Sequence, residues 1–262
     1  MNIVIIGAGA MGSSLARQLA TGGYKITVTD HDKQKLKQLA RVNPKIKITT
    51  DNVSVIGKAD LIILGVKPQS FNDLAVELKS HVATNAVVLS IMAGVNLGKI
   101  RQLLSVKKVV RAMPNLCAQI GKSTTVWTAR GLSVVEKRFV VKIFNCIGIQ
   151  KYVKTEVEID KATAVSGSGP GFLFAIISAW LKAIEAIGFT RAEAELVWRN
   201  TVDGANTLWQ SGKQADELLK RVASKGGTTE AGLKVLSHAK LEKLFERVLR
   251  AALLRAEDLQ KK

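Results

Sequence analysis

The stretch Asn2-Ile3-Val4-Ile5-Ile6-Gly7-Ala8-Gly9-Ala10-Met11-Gly12 decides the fold of this chain. Its apolar run breaks at three glycines spaced G-x-G-x-x-G and then continues with helical spacing, which predicts a strand, a tight turn and a helix. We expect Gly7 to permit the turn, Gly9 to let the backbone approach a pyrophosphate, and Gly12 to let helix and strand pack closely. Because free N–H groups at a helix start favour anions, this glycine turn (residues 7–12) predicts a dinucleotide site.

The surroundings of the glycine turn decide how it is interpreted, since the same spacing also occurs in ordinary turns. Asp30 ends the next apolar alternation along the chain. It follows the turn by about 20 residues, the position of a carboxylate that contacts the ribose of a dinucleotide. The pair of signals favours a dinucleotide-binding fold.

Strand-like and helix-like runs alternate as far as about residue 156, which predicts a doubly wound sheet. The continuous apolar run Leu61–Val66 is typical of a central parallel strand that is buried on both faces. Ligands in such sheets lie at the carboxyl ends of the strands. We therefore expect one crevice to collect the glycine turn, Asp30, Gly65–Pro68, Met92–Gly94 and Met113–Asn115.

The second half of the chain has a different character. Beyond Glu156 we identify no strand, and the periodic runs predict helices. The sequence thus predicts an α/β fold, with an N-terminal Rossmann-type dinucleotide-binding domain (residues 1–157) followed by an all-helical C-terminal dimerisation domain (residues 158–262). The predicted helix Phe172–Ile187 has apolar residues on nearly every face, so we expect a homo-oligomer that covers it.

Two glycine- and hydroxyl-rich segments interrupt the helical half, Ser166–Gly171 and Ser224–Thr229. Three glycines at about 1 kcal/mol each relative to alanine make Ser166–Gly171 a poor helix interior, so we expect it to let another group approach. The second segment, the substrate turn (residues 224–229), precedes a helix and offers free N–H groups for a carboxylate. Both could be plain interhelical loops, but together they favour a substrate pocket.

Composition excludes several classes of protein. The net charge is +18, from 39 Lys and Arg against 21 Asp and Glu, but the basic residues are spread along the chain and aromatics make up 5%, so we do not expect nucleic-acid binding. The apolar run Gly171–Leu181 is shorter than the ~20 residues of a membrane span, and no signal peptide is recognisable. Two cysteines without C-x-x-C spacing favour a cytoplasmic protein. His31, His81 and His238 lie apart, so we expect no metal site.

Five motifs together resemble the pyrroline-5-carboxylate reductases, the enzymes of the last step of proline biosynthesis. They are Ile6–Gly12, Val66-Lys67-Pro68-Gln69, Val110-Arg111-Ala112-Met113-Pro114-Asn115, Ser166-Gly167-Ser168-Gly169-Pro170 and Ser224-Lys225-Gly226-Gly227-Thr228-Thr229-Glu230-Ala231-Gly232-Leu233. The first is shared by many dehydrogenases, whereas the last three, in this order and at this separation, are specific. The resemblance covers nearly the whole chain.

The resemblance implies hydride transfer from NADPH, with NADH possible, to the substrate 1-pyrroline-5-carboxylate. It also implies a homodimer through the helical domain that often assembles further. The implied cofactor-binding residues are Ile6, Gly7, Ala8, Gly9, Ala10, Met11, Asp30, Asn52, Val66, Lys67, Pro68, Ala93 and Gly94. The implied substrate-binding residues are Glu156, Ser224, Gly226, Gly227, Thr228 and Thr229. Thr229, which hydrogen-bonds the ring nitrogen, and Ser224 are the implied catalytic residues.

The chain departs from the family pattern at three positions. Leu116 and Cys117 replace the usual Thr-Pro after Met-Pro-Asn, and Lys225 replaces the proline before Gly-Gly. Lys225 places a mobile cation beside the expected carboxylate site. The resemblance implies a preference for NADPH, whereas Asp30 would repel its 2′-phosphate and Lys33 and Lys35 would offset that repulsion. We therefore expect both cofactors to work, with NADPH modestly preferred.

Two other interpretations remain open. The first is another nicotinamide-dependent enzyme of the same architecture, which reduces a keto acid or an acyclic imine. A keto acid usually requires a lysine or histidine acid. The two glycine-rich segments contain no histidine, and their one lysine, Lys225, lies beside the expected carboxylate site. The second is a catalytically impaired dinucleotide-binding protein, in which Leu116, Cys117 and Lys225 mark the loss of activity.

Overall fold

The computed structural model describes residues 1–260 as eight β-strands and twelve α-helices, joined by three short segments of other helix types. The strands are β1 (Asn2–Ile6), β2 (Lys25–Thr29), β3 (Lys47–Thr49), β4 (Leu61–Leu64), β5 (Val87–Ser90), β6 (Val109–Met113), β7 (Ser123–Arg130) and β8 (Gly148–Tyr152). The helices are α1 (Ala10–Thr21), α2 (Lys33–Val42), α3 (Val53–Ile56), α4 (Phe71–Leu78), α5 (Leu97–Leu104), α6 (Val134–Asn145), α7 (Glu156–Ala162), α8 (Gly169–Ala186), α9 (Arg191–Gln210), α10 (Ala215–Val222), α11 (Thr228–His238) and α12 (Leu241–Gln260).

The chain forms two compact units. One contains residues 1–170 together with residues 250–260, and the other contains residues 171–249. The domain boundary predicted between residues 157 and 158 falls inside α7 and stays a prediction.

The strands form one sheet in the order β3-β2-β1-β4-β5-β6-β7-β8. Strand β7 runs antiparallel to β6, and the other neighbours pair in parallel. Because β1 pairs with β2 on one side and β4 on the other, the winding of the chain reverses at β1. In such sheets ligands bind at the carboxyl ends of the strands where the winding reverses, which is where the glycine turn begins.

Both faces of the sheet are covered by helices. Ile3 and Ile5 pack on one face with apolar side chains of α1, α2 and α6, whereas Val4 and Ile6 pack on the other face with α4 and α5. Strand β4 is buried along its whole length, as its continuous apolar run predicts. The period of two along β1 thus fixes which residues support each face.

The unit of residues 171–249 is helical and has little core of its own. Large apolar side chains are exposed, among them Phe174 (55%) and Trp209 (57%). Trp180 and Trp198 stack with their ring centroids 4.6 Å apart. Apolar surface on this scale marks a place where another chain packs, as we expected from the sequence of α8.

The glycines of Ser166–Gly171 do not interrupt the helical backbone, and that expectation is wrong. Residues Thr163–Gly167 form a π-helical turn after α7, and α8 begins at Gly169, so the helical stretch runs from Glu156 to Ala186. The Ser166 hydroxyl donates to the carbonyl oxygen of Thr124 at 3.2 Å, which anchors the wide turn to β7. Tertiary contacts thus offset the poor helix propensity of the glycines.

By length and composition, Glu156–Ala186 is the one helical stretch among residues 1–260 that could cross a membrane, and 11% of its most apolar window is buried. The apolar run Gly171–Leu181, which we expected to be too short to span a membrane, lies within this longer helical stretch.

Candidate active site

The glycine turn after β1 has the backbone shape that close approach of a ligand requires. Gly7 has a φ of +110°, and a Cβ there would lie 2.7 Å from the carbonyl oxygen of Gly65. A Cβ on Gly12 would collide with the carbonyl oxygen of Gly7, whereas a Cβ on Gly9 would meet no atom within 4 Å. Gly7 and Gly12 are therefore needed for the turn itself, and Gly9 leaves open space beside it. This shape fits the pyrophosphate of a dinucleotide; contact with Gly9 stays a prediction.

Asp30, which we predicted to contact a ribose, is tied to the glycine turn. Its Oδ2 accepts a hydrogen bond from the Ala8 amide at 2.7 Å, and its Oδ1 accepts one from the Asp32 amide at 2.9 Å. The side chain is 8% exposed, with Oδ1 3.4 Å from Nδ1 of His31. The carboxylate thus braces the turn against the end of β2, a role that the sequence spacing alone did not reveal. Contact with a ribose stays a prediction.

A cleft of about 610 Å³ opens beside the glycine turn and gathers residues that follow β1, β2, β3 and β4. Of the predicted cofactor-binding residues, its lining contains Ile6, Gly7, Gly9, Asp30, Asn52, Val66 and Lys67. Its lining also contains residues outside that set: His31, Lys35, Thr50, Gly65, Ser70, Asp73, Leu74 and Glu77. The last four occupy positions i, i+3, i+4 and i+7, from the N-cap of α4 into the helix, and this spacing along one helix face is the signal that could have found them.

Six predicted cofactor-binding residues lie outside the lining of this cleft: Ala8, Ala10, Met11, Pro68, Ala93 and Gly94. Gly94 has a φ of +74°, and a Cβ there would lie 2.6 Å from the carbonyl oxygen of Leu259, because the last turn of α12 covers it. The single crevice expected at the strand ends is therefore only partly observed, since Met92–Gly94 and Met113–Asn115 do not line the cleft. A cofactor-binding role for Ala93 and Gly94 stays a prediction.

The start of α2 carries a cation to the edge of the cleft. Oδ1 of Asp32 accepts hydrogen bonds from the amides of Gln34 (2.9 Å) and Lys35 (3.2 Å), and its Oδ2 lies 3.4 Å from Nζ of Lys35. The backbone hydrogen bond from Lys35 is the main cause that holds the pKa of Asp32 below its ordinary value. Asp32 therefore caps α2 as a carboxylate and keeps Lys35 beside the cleft.

Glu156, predicted to bind substrate, makes contacts of a structural kind. Its Oε1 accepts hydrogen bonds from the amide of Leu97 at 2.9 Å and from Nη1 of Arg111 at 3.2 Å. Arg111 is buried in β6 and also donates through Nη2 to Oδ1 of Asp160 at 2.7 Å. Glu156 thus links β6 to the start of α5. Its role as a substrate ligand stays a prediction.

The substrate turn leads into α11 with Gly227 at the N-cap position. Thr228 and Thr229 are the first two residues of the helix, and Thr229 is half-buried. Within residues 1–260 the hydroxyl of Thr229 has no hydrogen-bond partner, and it does not cap α11. Ser224 is exposed, and its Oγ lies 2.6 Å from the position that a Cβ on Gly227 would take.

Two amides of the substrate turn are already hydrogen-bonded, so our expectation that both are free for a carboxylate is wrong. The Gly226 amide donates to Oε2 of Glu230 at 2.7 Å, and the Gly227 amide donates to the carbonyl oxygen of Ser224 at 3.0 Å. Glu230 is the third residue of α11 and reaches back to the turn as a capping-box glutamate does. The amides at the first positions of α11, those of Thr228 and Thr229, are the ones a helix leaves without intrahelical partners.

The doubly wound sheet and its glycine turn define the class of the protein, a dinucleotide-binding fold with an added helical segment. Residues 2–94 match the family model described as NADP oxidoreductase, coenzyme F420-dependent, and residues 156–259 match the one described as pyrroline-5-carboxylate reductase dimerisation. A pyrroline-5-carboxylate reductase from Staphylococcus epidermidis is 31% identical over an alignment of 271 positions, which covers 100% of this chain and 99% of that protein. The chain belongs to the pyrroline-5-carboxylate reductase family, as its motifs predicted.

Solved structures agree with this assignment. A pyrroline-5-carboxylate reductase from Coxiella burnetii aligns with a TM-score of 0.88 at 33% identity, over 100% of this chain and 99% of that one. The pyrroline carboxylate reductase of Plasmodium falciparum, solved with NADP bound, has a TM-score of 0.89 at 24% identity and covers 99% of this chain and 98% of its own. The second comparison shows the fold. The α/β fold with a helical C-terminal segment is confirmed.

Proposed function

We propose that this chain reduces 1-pyrroline-5-carboxylate to L-proline with NADPH and also accepts NADH. The proposal rests above all on the whole-length match to a reductase of this name, in a chain whose glycine turn keeps its open position at Gly9. We further propose that it acts in the cytoplasm as a homodimer, or a larger assembly of dimers, through the helical segment that matches the dimerisation model.

The residues of the first unit would hold the cofactor. The glycine turn would receive the pyrophosphate, and Asp30, Asn52 and the residues after β4 would surround the adenosine half. The nicotinamide supplies the hydride that adds to the imine carbon. In the overall reaction one NADPH and one proton convert the C=N bond of the ring to C–N, and NADP⁺ leaves.

The residues of the substrate turn would orient the imine. The substrate is a cyclic imine with one carboxylate, so its site needs N–H donors for the carboxylate and a hydroxyl near the ring nitrogen. The amides of Thr228 and Thr229 at the start of α11 supply the first, and the hydroxyl of Thr229 supplies the second. We assign Ser224 a supporting role, because its exposed hydroxyl lies on the same turn. Positioning a protonated imine near a hydride donor then accounts for most of the catalysis.

A substrate comparison tests the proposal against its alternatives. The purified chain is mixed with NADPH and one of three substrates, pyrroline-5-carboxylate, a 2-keto acid or an acyclic imine, and loss of the reduced nicotinamide is followed by absorbance. We expect oxidation that depends on pyrroline-5-carboxylate. A faster reaction with the keto acid or the acyclic imine would indicate the related reductases, and cofactor binding without any turnover would indicate a dinucleotide-binding protein.

A further inference from the structure

Asn52 lies between a buried hydroxyl and an exposed carboxylate at the edge of the cofactor cleft. Its Oδ1 lies 2.5 Å from the hydroxyl of Thr29, and its Nδ2 lies 3.1 Å from Oε1 of Glu77. Asn52 and Glu77 line the cleft, whereas the side chain of Thr29 is buried in the sheet. The nitrogen edge of the amide therefore faces the cleft side, and its oxygen edge faces the protein interior.

Glu77 alone decides which edge of the amide faces the cleft. The Thr29 hydroxyl can donate or accept a hydrogen bond, so it can pair with either edge of the Asn52 amide. A carboxylate only accepts, so Glu77 can pair only with the N–H edge. If Glu77 lost its charge, both orientations of Asn52 would be compatible with their neighbours.

With the adenosine ribose beside Asp30 and Asn52, as proposed above, the orientation of Asn52 matters for the choice between NADPH and NADH. One N–H of Nδ2 is bonded to Glu77, and the second has no hydrogen-bond partner among residues 1–260, so it would be available to a ligand in the cleft. An ionised phosphate accepts such a bond but is repelled by a carbonyl oxygen, whereas a ribose hydroxyl can pair with either. A fixed N–H edge therefore favours the cofactor that carries a 2′-phosphate.

On this geometry we propose that Glu77 is a positioning residue that favours NADPH by holding the N–H edge of Asn52 toward the cleft. The inference rests on the proposed function for the identity of the cofactor. In this proposal an acidic residue favours the more negatively charged cofactor. Simple repulsion between Glu77 and a 2′-phosphate would instead disfavour NADPH. Whether removal of the Glu77 charge weakens or strengthens NADP⁺ binding therefore distinguishes the two explanations.

The test measures cofactor affinity directly, by titrating the full-length chain with NADP⁺ and NAD⁺ in a calorimeter without substrate. We expect Glu77→Gln and Glu77→Ala each to weaken NADP⁺ binding by about 3–10-fold while NAD⁺ binding changes less than about twofold. Asp73→Asn is the matched control, because it removes the same charge from the same cleft but Asp73 forms no hydrogen bond with Asn52 in the described chain. Repulsion alone predicts equal or tighter NADP⁺ binding for Asp73→Asn.

A second variant keeps the inference falsifiable if the Glu77 variants lose stability. Asn52→Leu removes both edges of the amide at similar size without adding charge, so we expect it to weaken NADP⁺ binding at least as much as either Glu77 variant. In the Asn52→Leu background, Glu77→Gln should cause no further loss, because the edge that Glu77 holds is gone. The inference is overturned if Glu77→Gln tightens NADP⁺ binding as Asp73→Asn does, or if both cofactors weaken equally. Absence of pyrroline-5-carboxylate turnover in the wild-type chain would count against the proposed function and not against this inference, because the affinities are measured without substrate.

Discussion

Arg111 and Asp160 form a buried ion pair, with Nη2 of the guanidinium 2.7 Å from Oδ1 of the carboxylate. Both side chains are at most 5% exposed. Glu156 adds a second carboxylate at 3.2 Å from Nη1 and also accepts the amide of Leu97. Asp160 further accepts a hydrogen bond from the side chain of Gln260. One buried guanidinium therefore links β6, α7, the start of α5 and the end of α12.

Removal of this guanidinium should destabilise the protein strongly. Arg111→Met leaves Asp160 buried without its cation, and we expect the free energy of unfolding to fall by about 3–5 kcal/mol. Arg41→Met is the matched control, because Arg41 is exposed in the last turn of α2 and its loss should cost less than about 1 kcal/mol. Urea denaturation compares the two. Equal losses in both variants would show that the buried pair does not stabilise the fold.

Substitutions at two positions of the glycine turn should affect different properties, Gly12→Ala the stability of the protein and Gly9→Ala the binding of the cofactor. Gly12→Ala would drive a Cβ into the carbonyl oxygen of Gly7, so we expect a lower melting temperature. Gly9→Ala meets open space and Gly9 has a φ of −68°, so we expect an unchanged melting temperature but about tenfold weaker NADP⁺ binding, which is about 1.4 kcal/mol. Thermal melts and cofactor titrations are measured on both. Unchanged NADP⁺ affinity in Gly9→Ala would mean that the pyrophosphate does not lie over this glycine.

The role of Thr229 is tested by a pair of substitutions. Because Thr229 is the second residue of α11 and does not cap it, Thr229→Ala should leave the melting temperature nearly unchanged. We expect Thr229→Ala to lower kcat/KM for pyrroline-5-carboxylate by about 10- to 1000-fold, and Thr229→Ser to retain most activity, because serine keeps the hydroxyl. Cofactor affinity serves as the control and should not change. Full activity in Thr229→Ala would remove the residue from the catalytic site.

The stability of the contact between α6 and the start of β6 should depend on pH through Glu136. Its Oε1 lies 2.6 Å from Nζ of Lys108, and this hydrogen bond is the first cause that holds the pKa of Glu136 below its ordinary value. A carboxyl whose pKa is lowered in the folded state stabilises the protein above its unfolded pKa and loses that contribution as the pH falls through the folded pKa. We expect Glu136→Gln to flatten the fall in melting temperature below about pH 4.5. Identical slopes for variant and wild type would contradict this.

Local patterns predicted the elements well. The strand, turn and helix around Gly7–Gly12 and the buried central strand within Leu61–Val66 were predicted, because an apolar run and the glycine spacing mark them. The segment Ser166–Gly171 was misjudged, because its glycines are accommodated by a π-helical turn that β7 anchors from more than 40 residues away. Sequence spacing carries no signal for such contacts.

The residues of the candidate site were only partly predicted, because sequence spacing does not reveal contacts between distant side chains. Gly7 and Asp30 follow strand ends and were predicted from that position, whereas Asn52 was implied by the family resemblance; all three line the cleft. Glu77 enters the site from α4, 25 residues beyond Asn52 in sequence, and its role depends on a side-chain contact that no motif encodes. Glu230 accepts a hydrogen bond from the Gly226 amide, which we expected to be free. A glutamate at the third helical position can reach back to the turn in this way.

The product formed by the wild-type chain tests the proposed reaction. Purified protein is incubated with NADPH and pyrroline-5-carboxylate, and L-proline and NADP⁺ are quantified together. We expect one L-proline to form for each NADPH oxidised, with neither product in the absence of the imine. Tight NADPH binding without formation of L-proline would contradict it.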